Sequence, residues 1–272
     1  YMNTYGFHSI HGRAPAIASG VKISNPELAV FVVTGDGDGL SIGGNHFMHA
    51  LRRNMDINIM MFNNRIYGLT KGQYSPTSEV GKVTKATPYG SIDIPLNPPS
   101  LALGAQSTFV ARTIDRWQKH LSAMMERSYQ HDGGSFLEIY QNCNIFNDGA
   151  FEEYTGKEKL DNVIELENGK PMLFARETKG IKLEGSKAIV VSMDDHSAED
   201  LLVHDETDLD MAHIIANWTS NPKLPEPIGV IYCVDRPTYN QDMVDQINSA
   251  KEKKGKGSVQ GLLNAGDTWV VD

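Results

Sequence analysis

Two short apolar runs, each ending in a polar signature, constrain this chain more than anything else in it. Leu28 to Val33 leads into Gly35-Asp36-Gly37-Asp38-Gly39, and Ile57 to Phe62 leads into Asn63-Asn64. Between them Ile42 to Arg53 carries Phe47, Met48 and Leu51 on one side of a helix. Continuous β-rich runs suit strands buried on both faces of a parallel sheet. A strand–helix–strand unit then brings both strand ends to one edge, where open α/β sheets place their ligands. One strand end offers Asp36 and the next offers Asn64.

A carboxylate and an amide oxygen beside a glycine-rich turn suit a hard cation that carries a diphosphate. Mg²⁺ takes few protein oxygens and fills its shell with phosphate and water, and the carbonyl of Ile66 is a third candidate donor. Gly35, Gly37 and Gly39 are expected to allow positive φ and close approach of a phosphate. Ser41 and Gly43-Gly44 then open a helix whose free N–H groups attract an anion. The string Asp36-Gly37-Asp38-Gly39 begins like a calcium loop. Leu40, Ser41 and Phe47 then stand where such a loop needs an oxygen donor, a glycine and a glutamate.

From residue 13 to 143 the pattern alternates helix and strand. Helices are expected over 13–21, 42–53, 100–106 with Ser100 as cap, and 115–130 capped by Asp115. Strands are expected over 28–33, 57–62, 108–112 and 136–141. Residues 63–99, rich in Gly, Pro, Ser and Thr, form one long segment of the kind that is usually functional. The order weakens after Cys143, with strands expected over 162–166, 172–175, 188–193 and 228–234 and helices over 208–218 and 239–253. The fold class is therefore α/β, a mostly parallel sheet with helices on both faces. The expected division is a cofactor-binding domain over 1–150 and a C-terminal extension over 151–272.

The 272 residues include about 40% apolar residues, enough for a sizeable core, and carry a net charge of −9 that argues against a nucleic-acid surface. Lys251 to Lys256 is a short basic run on a polar helix and reads as a solvated face. No apolar run approaches the ~20 residues of a membrane span, and no signal peptide is visible, so a cytoplasmic location is expected. The only cysteines, Cys143 and Cys233, exclude a disulfide scaffold and cannot by themselves ligate an iron–sulfur cluster.

Gly-Asp-Gly followed within about thirty residues by Asn-Asn resembles the thiamine diphosphate fingerprint. The longer strings GDGDGLSIGGNHFMHALRRN, FNNRIYGLTKGQYSPTS and LALGAQSTFVAR, with the tail LLNAGDTW, resemble the β subunit of the 2-oxoacid:ferredoxin oxidoreductases, of the type that uses 2-oxoglutarate. The resemblance covers the whole chain. It implies a thiamine diphosphate-binding fold and oxidative decarboxylation of 2-oxoglutarate to succinyl-CoA, reversibly, with coenzyme A as acyl acceptor and ferredoxin as electron acceptor. It implies Asp36, Asn64 and the Ile66 carbonyl as Mg²⁺ ligands. It also implies the segment through Gly37, Asp38, Gly39, Gly43, Gly44, Asn45 and His46 as the diphosphate cradle, with Gly68, Leu69 and Thr70 beside the cofactor.

By the same resemblance Cys143 is one thiolate of a [4Fe–4S] cluster whose other three lie upstream of Tyr1. Lys71 stands where pyruvate-type relatives carry glycine, and is expected to bind the distal carboxylate of 2-oxoglutarate. His11 and Arg13 are expected near the reacting carbon and a substrate carboxylate. No carboxylate here suits the aminopyrimidine N1′, so a partner α subunit is expected to supply it. A non-oxidative thiamine decarboxylase or synthase, and a non-catalytic truncated subunit, are the competing readings. Iron and acid-labile sulfide in the full complex separate them.

Overall fold

A computed structural model describes residues 3–219 and 221–271. Helix α1 (Ala14–Ser24) precedes strand β1 (Phe31–Gly35), the short helix α2 (Asp36–Leu40), α3 (Gly44–Arg52) and β2 (Asn58–Asn63). After a long irregular segment come α4 (Pro98–Gly104), β3 (Phe109–Ile114), α5 (Gln118–Gln130) and β4 (Ser135–Tyr140). Beyond these lie α6 (Glu152–Thr155), α7 (Lys159–Asn162), β5 (Val163–Leu166), β6 (Leu173–Phe174), β7 (Lys179–Glu184) and β8 (Lys187–Ser192). The described chain closes with α8 (Leu209–Trp218), β9 (Glu226–Cys233), α9 (Tyr239–Lys254) and α10 (Val259–Leu263). None of the described helices is long and apolar enough to cross a membrane.

Six strands form one sheet in the order β1-β2-β4-β3-β9-β5. The first four run parallel, β9 is antiparallel to β3, and β5 runs with β9. β6, β7 and β8 make a separate antiparallel sheet. The main sheet has helices on both faces, as the alternating pattern requires. Val32, Ile59, Met61, Val110, Phe136 and Ile231 join one core with residues of α1, α3, α4 and α8. Met60, Phe109, Ala111, Leu137 and Ile139 face the other way, against Leu121 and Met124 of α5.

Several boundaries differ from expectation for physical reasons. β1 is not buried on both faces. It is the edge strand, and Phe31 and Val33 are 44% and 61% exposed while Val32 and Thr34 are buried. Asn97 caps α4 by accepting from the Ser100 N–H, so Ser100 lies inside the first turn and Pro98-Pro99 start the helix. Asp115 does not cap α5, because a turn from Ile114 to Trp117 intervenes and the helix begins at Gln118. The sheet also runs across the boundary expected at residue 150, because β5 and β9 both extend it.

Candidate active site at the ends of β1 and β2

β1 and β2 pair in parallel with Gly35 opposite Phe62, so the residues that follow each strand emerge side by side. Asp36 begins α2 and is only 1% exposed. One terminal atom of the Asn64 amide lies 3.2 Å from Asp36 Oδ1 and 2.8 Å from the Ile66 carbonyl oxygen. As NH₂ that atom donates to both oxygens. After a half-turn of the amide it is a third oxygen, and its two separations lie close to the roughly 3 Å edge of an octahedron with Mg–O bonds near 2.1 Å. The donor set of one carboxylate, one amide and one main-chain carbonyl therefore fits Mg²⁺.

Burial pushes the Asp36 carboxyl above the ordinary carboxylate range, opposed by hydrogen bonds from Ser75, Thr77 and the Asn64 N–H. A divalent ion held here would work against that burial effect by stabilising the charged form. Thr77 was not legible as a site residue, yet its hydroxyl donates to Asp36 Oδ2 at 2.6 Å.

The glycines act differently from expectation. Gly35 and Gly43 have φ of −89° and −82°, and none of the glycines from 35 to 44 is left-handed. Gly37 and Gly43 are needed for space. A Cβ on Gly37 would lie 2.4 Å from the Tyr67 ring, whose hydroxyl donates to the Gly37 carbonyl at 2.9 Å. A Cβ on Gly43 would lie 2.5 Å from the Asp38 carbonyl oxygen. Gly39 packs against Met61 and Thr34, whereas Gly44 borders open space.

Asp38 serves the fold. Its carboxylate accepts from the Gly12 N–H at 2.7 Å and from Thr34 Oγ1 at 2.7 Å, and lies 2.6 Å from His11 Nδ1. Arg13 donates to the Ile42 carbonyl at 3.2 Å. The His11-Gly12-Arg13 turn is thereby fastened over the α2–α3 connection. Asn45 is exposed and His46 half-buried on the first turn of α3.

The loop after Asn64 is a tight turn. Tyr67 and Gln73 exchange a bridge, and Lys71 N–H donates to the Gly68 carbonyl at 3.0 Å. Leu69 is 96% exposed, Thr70 and Lys71 are exposed, and Lys71 is left-handed with φ +72°. An open groove of about 420 Å³ runs between Ser41, Tyr67, Ser75 and Asp93 beside this turn.

Cys143 lies in the loop after β4, at the same end of the sheet. Asn147 donates from its backbone to the Cys143 carbonyl and from Nδ2 to the Asn64 carbonyl, both at 2.9 Å. Phe146 covers Gly72. Cys233 pairs with Phe109 at the opposite end of the strands, so the two thiols cannot serve one centre. One thiolate does not hold a four-iron cluster, and the fit to such a group is confined to a single ligand position at Cys143.

Residues 1–139 match the family described as thiamine pyrophosphate enzyme, C-terminal TPP binding domain. Over its whole length the chain is 47% identical to the 2-oxoglutarate oxidoreductase subunit KorB of Mycobacterium tuberculosis and covers 74% of that protein. It is 41% identical to the 2-oxoacid:ferredoxin oxidoreductase subunit beta of Saccharolobus solfataricus, over 70% of this chain and 61% of that one. The structure resembles the 2-oxoglutarate:ferredoxin oxidoreductase of Magnetococcus marinus, solved with 2-oxoglutarate, coenzyme A and succinyl-CoA bound. The TM-score is 0.72 and the identity 29%, over 97% of this chain and 76% of that one. The chain belongs to the β-subunit family of the 2-oxoacid:ferredoxin oxidoreductases, whose thiamine pyrophosphate-binding unit occupies its first 139 residues.

Proposed function

We propose that this chain is the subunit that holds Mg²⁺ and thiamine diphosphate for the reversible oxidative decarboxylation of 2-oxoglutarate to succinyl-CoA, with ferredoxin as electron acceptor. The observation that carries the reading is the Asn64 amide lying 3.2 Å from Asp36 Oδ1 and 2.8 Å from the Ile66 carbonyl oxygen. The names of the relatives and the substrates bound in the Magnetococcus complex support the choice of reaction. Thiamine diphosphate, when bound, supplies the nucleophilic carbon and the electron sink that loss of CO₂ from a 2-oxoacid needs.

The residues of this chain then have separable tasks. Asp36, Asn64 and Ile66 hold the cation, and the α2–α3 connection from Gly37 to Gly44 receives the diphosphate. Leu69, with Gly68 and Thr70, offers an apolar contact for the thiazolium ring. Lys71 projects from the same turn and pairs with the distal carboxylate of 2-oxoglutarate. His11 and Arg13, fastened by Asp38 and Ile42, face the reacting end of the substrate. Cys143 is assigned one ligand position of a [4Fe–4S] cluster completed by thiolates outside this chain. The α subunit supplies the carboxylate for the aminopyrimidine, and the reaction is placed in the cytosol.

The test is Asp36→Asn in the complex with the α subunit. The substitution keeps the shape and removes the charge that binds Mg²⁺. Thiamine diphosphate and Mg²⁺ content should fall together while the complex still assembles and melts cooperatively. Normal Mg²⁺-dependent thiamine binding by the variant would overturn the ligand assignment.

A further inference from the structure

Asn63, the first residue of the Asn-Asn pair, has no part in the cation site, yet it is 3% exposed and fully engaged. Its Nδ2 donates to Glu138 Oε1 at 2.7 Å, so its Oδ1 faces Thr77 Oγ1 at 2.9 Å and accepts from the Arg65 N–H at 3.2 Å. Glu138 in turn accepts from Arg112 Nε at 2.7 Å, and Arg112 also binds Glu226 of β9. Arg112 and Glu138 are register partners on β3 and β4, both wholly buried. A continuous line of buried polar groups therefore runs from Asp36 through Thr77 and Asn63 to a charge cluster in the middle of the sheet.

We propose that Thr77 is a positioning residue for the cation: its hydroxyl pins Asp36 Oδ2 against the Asn63–Glu138 pair and leaves Oδ1 turned toward Asn64. This rests on the cation reading above. A hydroxyl has one proton, and its two nearest neighbours here, at 2.6 and 2.9 Å, are acceptors, while Ser75 Oγ stands farther off at 3.3 Å. The Glu138 contact fixes the Asn63 amide so that it presents oxygen, not NH₂. The Thr77 proton is therefore given to the charged partner, where a hydrogen bond is stronger. Asn63 Oδ1 keeps the Arg65 N–H and is not left bare. The segment that carries Thr77 is itself tied down, with Ser78 Oγ donating to the Arg65 carbonyl at 2.6 Å and accepting from the Ser75 N–H at 2.8 Å. A carboxylate free to turn about its last torsion would lose the alignment of Oδ1 in most orientations, and the support removes that freedom.

The test uses the assembled complex, stripped with chelator and reloaded with thiamine diphosphate, with Mg²⁺ added in a calorimetric titration. Thr77→Val keeps the volume and deletes the hydroxyl, and should weaken Mg²⁺ by about 10- to 100-fold. Excess Mg²⁺ should restore thiamine diphosphate occupancy in that variant. Thr77→Ser, which keeps the hydroxyl, should stay within about threefold of the parent. The metal-free melting temperature is recorded for each, and Thr77→Ala replaces Thr77→Val in the comparison if the latter does not assemble. Parent-like Mg²⁺ affinity in the hydroxyl-free variant, or a serine variant as weak as it, overturns the proposal. A parent complex that itself binds no Mg²⁺ with thiamine diphosphate overturns the cation reading instead.

Discussion

Lys71 is held in a backbone conformation that suits glycine. At φ +72° a lysine costs on the order of 1 kcal/mol relative to a residue without Cβ. Lys71→Gly removes that strain and adds unfolded-state entropy of about the same size, so the stability of the subunit should change by less than about 1 kcal/mol. The ammonium is a different matter. A hydrogen bond to a charged partner is worth about 1.5–3 kcal/mol, which at about 1.4 kcal/mol per tenfold is a loss of roughly 10- to 150-fold in kcat/KM for 2-oxoglutarate. Pyruvate has no distal carboxylate and should lose less than about threefold. Lys71→Met keeps a side chain on the strained backbone and deletes only the charge, so it should match Lys71→Gly on 2-oxoglutarate. Steady-state rates with ferredoxin and coenzyme A, on the complex with the α subunit, decide the matter. An equal fall on both substrates, or none on 2-oxoglutarate, would remove Lys71 from substrate recognition.

Two substitutions test the support of the site. Gly43→Ala drives a methyl to 2.5 Å from the Asp38 carbonyl oxygen and close to Gly12, where neither backbone can yield cheaply. It should cost about 1–3 kcal/mol, read as a lower urea midpoint, with a parallel loss of thiamine diphosphate binding. Arg112→Met leaves Glu138 and Glu226 buried without their cation and should cost about 3–5 kcal/mol. A midpoint unchanged by that substitution would mean that the buried cluster is not held together by the guanidinium.

The parts of the site that follow strands were legible in the sequence, because strand ends are marked by a change of period and by glycine. Asp36 and Asn64 were found this way, and the structure brings them together. The helix caps were misplaced by two or three residues because several polar residues near a helix start compete for the same N–H groups. Asn97 won over Ser100, and a turn displaced the start of α5 past Asp115. Exposure of one face of β1 could not be read, since edge position depends on strand order and not on the apolar run itself. The positive φ expected of the glycines was misjudged for a related reason. What Gly37 makes room for is Tyr67, thirty residues away. Thr77 stayed hidden inside a segment with no periodicity, where a threonine that supports a carboxylate looks like any other loop threonine.

The family match ends at residue 139, yet the physics of the site does not. β9 covers the outer edge of β3, and its first residue, Glu226, supplies one of the two carboxylates around Arg112. Tyr140 and Tyr154 both donate to Glu226, at 2.9 and 3.4 Å, and the Arg112 guanidinium lies 4.9 Å from the Tyr140 ring centre. On the far side the Arg65 guanidinium lies 4.2 Å from Phe151, which stacks on Tyr140 at 4.1 Å. The loop after β2 is thus braced from below by Asn63 and from the side by Arg65, and both braces end on residues that depend on the second half of the chain. A buried arginine with a single carboxylate partner loses one of the charges that offset its desolvation. Residues beyond 150 therefore contribute to holding this edge of the sheet in shape, even though none of them lies directly after β1 or β2.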